Sequence, residues 1–407
     1  MVDKLKRTHW NFFSGSRLTF GSGATRVLSA IANRESKKRV FVISDATLKE
    51  HGVLESVEAT LNQSSAEWIL STEGCVEPST GTVKQVVDQA REFKPDLFVA
   101  VGGGSNMDLA KATAAAYQHN CDCEALFGFD QVPGAIAPLV CLPTTAGTGS
   151  EVSHAAIVLN ESSGQKSAIL SQHIRPETAI VDPRLSITCP PKVTAESGLD
   201  ALTHAIEAFM VTNFYSFEDD PDHGLPYEGN HPFGDMYAEK AISLIADNLQ
   251  TAVEKPQSLA ARSGMALAAT LAGAAFSSCG VSLCHALEYP IGGKYKCSHG
   301  IGNALVLPSV MRYWLPTRTS RLAKIAALLG VQDAERMPVE EAAEAAIGKV
   351  ESLRSAVGLP TSLAEVGVSM DDIDLLAESA TALQRLLDLS PRSATQEDLK
   401  QILSAAF

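Results

Sequence analysis

Two adjacent prolines, Pro190-Pro191, divide this chain of 407 residues into halves with different hydrophobic periods. Before them, short β-branched runs alternate with helix-like stretches. Arg39–Ser44 (R-V-F-V-I-S), Ala66–Ser71, Asp96–Val101 (D-L-F-V-A-V) and Pro138–Leu142 read as strands. His154–Leu159, Lys166–Leu170 and Ala179–Val181 read as shorter ones, and Thr80–Phe93 as an amphipathic helix. Near-continuous apolar runs of this length fill strands buried on both faces, so the first half is predicted to be an α/β domain with a parallel sheet. After Lys192 alanine dominates and the helical period takes over at Glu196–Met210, Asp235–Leu249, Ser258–Ser277, Thr319–Leu329, Val339–Val357 and Gln396–Phe407. The second half is therefore predicted to be all helical, and the domains to be 1–190 and 191–407, since a proline pair cannot continue a helix and one core rarely covers so long a chain.

Composition narrows the partners. The formal net charge is −14 with no Lys/Arg run, which argues against a nucleic-acid partner, because phosphate contacts need clustered cations. We expect no membrane span, which takes roughly 20 apolar residues, and the charged N-terminus has no apolar stretch behind it. The eight scattered cysteines lack disulfide or zinc spacing and read as reduced thiols of a cytoplasmic protein.

The first half carries two loops with ligand-binding character. The strand Asp96–Val101 runs into Gly102-Gly103-Gly104-Ser105-Asn106-Met107-Asp108. Three glycines before a helix let backbone N–H groups approach an anion such as a pyrophosphate, although a tight strand-to-helix turn would also use one. The strand Pro138–Leu142 leads into Pro143-Thr144-Thr145-Ala146-Gly147-Thr148-Gly149-Ser150-Glu151, whose hydroxyls suit a cofactor's phosphates, ribose or amide, or else a polar surface turn. Asp45, just past the strand Arg39–Ser44, can hold a ribose diol and repel a 2′-phosphate, or cap the following helix, or both. Lys166 can contact ribose or phosphate.

The second half carries a candidate metal site. Asp200 and His204 lie four apart in G-L-D-A-L-T-H-A-I-E-A, with no helix breaker from Leu199 to Val211, so both project from one face. His285 (C-H-A-L-E-Y-P) and His299 (C-S-H-G) come from a second segment, separated by a turn predicted at Gly292-Gly293. One carboxylate and three imidazoles suit Fe²⁺ or Zn²⁺ better than Ca²⁺ or Mg²⁺, whereas four unrelated polar residues are the bland alternative. Asn213–Gly234, rich in Asp, Pro, Gly, His and aromatics, is too long for an ordinary helix connection, so His223 and His231 read as residues of a loop or lid, or as extra ligands.

In order and separation, G-G-G-S-N-M-D-L-A-K, P-T-T-A-G-T-G-S-E-V, G-L-D-A-L-T-H-A-I-E-A and H-A-L followed by H-G resemble the iron-containing (group III) alcohol dehydrogenases over nearly the whole chain. The resemblance extends to Ser390-Pro391-Arg392 and the final helix. It implies a Rossmann-like dinucleotide-binding domain followed by a helical metal-binding domain, the architecture shared with dehydroquinate synthases. It implies NAD(H) and one divalent metal, Fe²⁺ ahead of Zn²⁺, meeting between the domains, in a homo-oligomer acting on a small alcohol or aldehyde. By position, Asp200, His204, His285 and His299 would hold the metal. Asp45 would favour NAD over NADP, Gly102, Gly103, Gly104 and Ser105 would cradle the pyrophosphate, and Thr144, Thr145, Thr148 and Lys166 would line the remaining cofactor path. The metal would act as a Lewis acid on the alcohol oxygen while the nicotinamide carries the hydride.

Two departures stand out. Many members place a histidine four residues after the third ligand, where it helps relay the alcohol proton; here Tyr289 stands there, so His285 and Tyr289 are the catalytic candidates. Tyr289 can donate a hydrogen bond or simply shape the pocket wall, and it is a poor base at neutral pH. The long 213–234 segment is the second. A maleylacetate reductase would share the motifs but turn over without metal, and a hydroxyacid–oxoacid transhydrogenase would need an oxo-acid acceptor. An acidic substrate would want a cation, for which Lys294 and Lys296 are the candidates. A lyase of the dehydroquinate synthase type and a metal-binding protein without activity are the remaining alternatives.

Overall fold

The computed structural model describes residues 6–13, 16–34, 38–219 and 224–407. The chain forms two compact units. One comprises 13–189 and 257–270. The other comprises the residues up to Phe12, 190–256 and 271–407.

The strands of the first unit are, in chain order, β1 (Arg17–Phe20), β2 (Arg39–Ile43), β3 (Glu67–Ser71), β4 (Leu97–Gly102), β5 (Gly128–Phe129), β6 (Leu139–Pro143), β7 (Ala155–Asn160), β8 (Gln165–Leu170) and β9 (Thr178–Val181). Six of them form one parallel sheet in the order β1-β9-β6-β4-β2-β3, and β5-β8-β7 form a small second sheet. Residues on the central strands alternate between two cores. Phe41, Ile43, Phe98 and Ala100 pack with the helices Thr80–Phe93 and Gly104–His119 on one face. Val40, Val42, Leu97, Val99 and Val101 pack with the helices Val27–Ala32 and Glu55–Asn62 on the other. Strands buried on both faces need apolar residues at every position, which is the unbroken pattern the sequence carries. From β2 the chain moves outward to β3, then returns to lay β4 on the other side of β2. Such a reversal opens a crevice at the carboxyl ends of the two strands, where Asp45 and Gly102 lie.

Among the described residues no strand follows Val181. The second unit is built from long helices, among them Pro191–Met210, Pro232–Glu254, Leu283–Tyr295, His299–Leu328 and Val339–Ala356. The division into an α/β part and an all-helical part is thus as the hydrophobic periods predict.

Two expectations need correction. Gly292 and Gly293 do not make a turn but lie inside the helix Leu283–Tyr295, together with Pro290. Gly292 leaves room for the Glu288 carboxylate one turn back, since a Cβ would fall 2.5 Å from Glu288 Oε1. The chain turns instead at Lys296, in the left-handed region at φ 55, and Ser298 caps the next helix by accepting from Ile301 N. That helix begins at His299, twenty residues before the predicted start at Thr319, and runs through Pro308 and Pro316 to a kink at Arg318. The Arg318 guanidinium donates to the carbonyls of Met210 (3.0 Å) and Val211 (2.7 Å), at the end of the Pro191–Met210 helix. Finally, one helix, Leu259–Cys279, is long and apolar enough to cross a membrane. Small residues carry its apolarity, and 56% of the apolar window is buried. Its buried Arg262 and Thr270 donate to Cys189 O (2.9 Å) and Glu151 Oε1 (2.7 Å), the behaviour of a core helix rather than of one facing lipid.

Candidate metal centre and cofactor loops

The helix Pro191–Met210 starts with proline at its first turn, where the missing N–H costs nothing, and is buried almost continuously from Gly198 onward. Asp200 and His204 sit one turn apart on it. His285 lies in the first turn of the Leu283–Tyr295 helix, and His299 opens the next. One ligand atom from each of these four residues lies within 4.8 Å of the others. Gly300 makes the approach possible, because a Cβ there would stand 2.3 Å from Glu196 O on the first helix.

Buried carboxylates hold the imidazoles. Glu207 Oε2 is 2.5 Å from His285 Nδ1, and its Oε1 accepts from Cys284 N at 2.7 Å. Glu288 Oε2 is 2.5 Å from His299 Nδ1. Both carboxylates are fully buried, so each Nδ1 is fixed as the donor and Nε2 is left as a lone pair facing the cluster. The Asn303 amide donates to Asp200 Oδ1 at 2.9 Å, beside His285 Nε2 (3.3 Å) and His299 Nε2 (3.2 Å). The buried His204 Nδ1 has no hydrogen-bond partner and lies 3.8 Å from Asp200 Oδ2. Burial pushes the His204 imidazole down to about 4, against the pull of Asp200, so it is neutral. Burial alone would raise the Asp200 carboxyl, but it lies below its ordinary value, with the Asn303 amide donating to it. An anionic oxygen, neutral imidazoles and an orphaned ring nitrogen are the donor set of a borderline divalent cation, and the residues present fit one.

Glu207, Glu288 and Asn303 were not singled out from the sequence, although helical spacing contains them. Glu207 is three residues past His204, Glu288 three past His285, and Asn303 four past His299. His231 lies apart from the cluster. It caps the Pro232–Glu254 helix through Nδ1, reaches Ser278 Oγ through Nε2 (2.8 Å) and stacks on Trp10 at 4.4 Å. His223 lies outside the described residues.

Tyr289 stands one turn beyond His285, its ring centroid 6.1 Å from that of His299. Burial pushes its phenol up to about 12. The charge of the Arg385 guanidinium works against that rise. Lys294 is engaged by Asp372 at 2.6 Å, and Lys296 forms the turn.

In the α/β unit the two loops pack on each other. Gly102 has φ 152, and a Cβ there would fall 2.1 Å from Asn106 Nδ2. A Cβ on Gly103 would touch Thr145 Oγ1 at 3.5 Å, and one on Gly104 would strike Thr148 Cγ2 at 2.6 Å. Gly103 caps the Gly104–His119 helix without a side-chain bond, so its first N–H groups are open to a ligand. Thr144 is tied to the glycine loop by donating from its N–H to Gly102 O at 3.0 Å. Ser105 Oγ donates to Val76 O at 2.5 Å. Asp45 caps the Ala46–Glu50 helix by accepting from Leu48 N (2.8 Å), and its second oxygen accepts from Asn106 Nδ2 (2.7 Å). Lys166 pairs with Glu77 at 2.9 Å. Further along, Lys111 is wholly buried and donates to Ser150 Oγ (2.8 Å), Ser153 Oγ (3.1 Å) and Ala155 O (2.8 Å), with Asp108 nearby. It anchors the loop-bearing helix to the threonine loop and was not read as functional from the sequence.

A parallel sheet with an anion-ready glycine loop, joined to helices bearing an Asp-His-His-His cluster, defines a metal-dependent dinucleotide enzyme class. Residues 15–183 match the family profile described as iron-containing alcohol dehydrogenase, and 225–407 match the C-terminal profile of the Fe-containing alcohol dehydrogenase family. The chain is 32% identical to the NAD-dependent methanol dehydrogenase of Bacillus methanolicus, covering 98% of this chain and all of that one. It is 30% identical to the mitochondrial hydroxyacid-oxoacid transhydrogenase of Rattus norvegicus, over 96% of this chain and 88% of the other. A solved structure of 1,3-propanediol oxidoreductase superposes with a TM-score of 0.91 at 30% identity, covering 98% and 100%. The chain belongs to the iron-containing alcohol dehydrogenase family.

Proposed function

We propose that this protein is an NAD(H)- and metal-dependent oxidoreductase interconverting an alcohol and an aldehyde or ketone. The observation that carries the proposal is the convergence of Asp200, His204, His285 and His299, with two of the imidazoles held by buried carboxylates. These four residues would hold a divalent cation, Fe²⁺ ahead of Zn²⁺. When bound, the metal would supply Lewis acidity toward the substrate oxygen and the nicotinamide would exchange the hydride.

The remaining work falls to the chain. Glu207 and Glu288 keep the imidazoles in one tautomer and orientation. Gly102–Ser105 offer open backbone donors to a pyrophosphate, and Asp45, poised by Asn106, faces a ribose with a carboxylate that disfavours a 2′-phosphate. Thr144, Thr145 and Thr148 close the loop around the cofactor, with Lys166 further along the path. With its phenol pushed up to about 12, Tyr289 serves as a hydrogen-bond donor to substrate and not as a base. The eight free thiols support a cytoplasmic setting. The exposed Leu18 and Phe20 on the edge strand β1 support a homo-oligomer.

The test is NADH oxidation with aldehydes, ketones and oxo-acids, on protein stripped of metal and reloaded with Fe²⁺ or Zn²⁺. Activity should vanish on stripping and return on loading. Metal-independent reduction of an unsaturated oxo-acid would move the protein to the maleylacetate reductase branch. Turnover of a hydroxyacid only with an oxo-acid acceptor, and not with free NAD, would make it a transhydrogenase.

A further inference from the structure

Two of the three imidazoles in the cluster are aimed by carboxylates, and the third is not. His285 leans on Glu207 and His299 on Glu288, whereas His204 Nδ1 has no hydrogen-bond partner. The His204 ring is instead met by rings. Phe276 stacks on it with centroids 4.4 Å apart and 22° between the planes, and His285 lies 4.8 Å away. Phe276 stands in the last turn of the Leu259–Cys279 helix, so the plane of His204 depends on where that helix end is held.

The end is held through Ser278, two residues on. Its carbonyl accepts from Glu228 N at 2.8 Å. Its Oγ accepts from His231 Nε2 (2.8 Å) and donates to Asn11 O (3.3 Å). Glu228 forms a buried ion pair with Arg7 and also accepts from Asn11 N (3.0 Å) and Asn11 Nδ2 (3.3 Å). Trp10 stacks on His231, Arg7 N donates to Phe217 O at 3.2 Å, and Lys6 pairs with Glu218 in a β-bridge. Residues 6–12 thus grip the long segment between Asn213 and Gly234 at two places and tie it to Ser278. Tyr227, beside Glu228, lies against Gly280, which has φ 95 and where a Cβ would be 2.9 Å from Tyr227 Cγ. Three residues after Gly280 the helix Leu283–Tyr295 begins, with His285 in its first turn.

We propose that residues 6–12 form a strap that positions the metal cluster from a distance, acting through Ser278 on Phe276 and His204 and through the turn at Gly280 on His285. Arg7, Trp10 and Glu228 act through other residues and are positioning residues. A buried ion pair adds little stability over an apolar pair of the same size, whereas losing one partner is costly, so the Arg7–Glu228 pair serves to fix one geometry. The proposal rests on the metal reading above for the ligand, though not for the strap.

The experiment compares the wild type with Trp10→Ala, Arg7→Met and the double variant Arg7→Met/Glu228→Gln. Amide hydrogen exchange is followed without added metal, and Zn²⁺ affinity is measured by competition with a chelator. Exchange should quicken at 227–231 and 276–286 in Trp10→Ala, and further in Arg7→Met, which leaves the Glu228 charge buried and alone. Strand β4 should exchange as in the wild type. Zn²⁺ affinity should fall in the same order, by roughly 2- to 30-fold. The double variant removes both charges but keeps an acceptor for Asn11, and should return towards the wild type in both readouts. Trp10 is only half-buried, so Trp10→Ala carries the test should Arg7→Met not fold. Quickened exchange at 227–231 with 276–286 and Zn²⁺ affinity unchanged overturns the proposal and leaves residues 6–12 as local packing. Quickening that reaches β4 equally marks a general loss of stability and overturns it too. If the wild type binds no Zn²⁺, the metal reading fails instead, and exchange at 276–286 decides the strap, quickened sustaining it and unchanged sinking it.

Discussion

At the metal cluster every group that would touch the ligand is a side chain, carried on three helices and aimed by others behind it. At the glycine loop the opposite holds: the pyrophosphate proposed there would be met by backbone N–H groups, with no side chains in the way. The difference follows from what each ligand demands. A divalent cation needs lone pairs fixed in orientation, which rigid helices and buried carboxylates provide. A diphosphate needs N–H donors and close approach, which Gly103 and Gly104 provide by having nothing to clash. The cluster should therefore be sensitive to losing groups, and the loop to gaining them.

The largest effect should come from the support of the cluster. Glu207→Gln keeps the volume but cannot accept from both His285 Nδ1 and Cys284 N as strongly as the carboxylate does. Metal affinity, measured by competition with a chelator, should fall roughly 10- to 100-fold, while NADH affinity stays the same. Equal loss of both would mean that the variant disturbs the whole protein and not the metal alone.

Gly104→Ala tests the other side. Its Cβ would sit 2.6 Å from Thr148 Cγ2 and 3.0 Å from Thr148 Oγ1, so the threonine must give way beside the proposed cofactor loop. NADH affinity, read by fluorescence titration, should weaken about tenfold, the scale of one lost or displaced hydrogen bond in a bound ligand. Metal content should not change. Unaltered NADH affinity would show that Thr148 can swing away and that the loop tolerates added atoms.

The same contrast explains what could be read from the sequence. Asp200 and His204 announce themselves because a four-residue spacing on an unbroken helix puts two donors on one face. Gly102–Gly104 do so because three glycines follow a buried strand. Such signals are local. The pairing of Glu207 with His285 spans 78 residues, and that of Glu288 with His299 crosses from one helix to the next, so helical spacing names the carboxylates without their partners. Gly292-Gly293 misled for a related reason. Glycine in sequence suggests freedom, but here it leaves room for the Glu288 carboxylate one turn earlier on the same helix, which His299 holds in place.

Asp45 gives the smallest effect and lies where the comparison blurs, since it is a side chain in the backbone-dominated region. As a helix cap accepting from Leu48 N it should be replaceable by Asn, and Asp45→Ala should cost about 1 kcal/mol in thermal or denaturant unfolding. As a selector against the 2′-phosphate it works through charge, which Asn lacks. Asp45→Asn should therefore keep the stability of the wild type but narrow the preference for NADH over NADPH several-fold, whereas Asp45→Ala should lose both. An unchanged cofactor ratio in Asp45→Asn would reduce Asp45 to a cap, and cofactor choice would then rest wholly on the backbone of the loops. A narrowed ratio without loss of stability would show one carboxylate serving both roles, with its two oxygens divided between Leu48 N and the Asn106 amide as the structure has them.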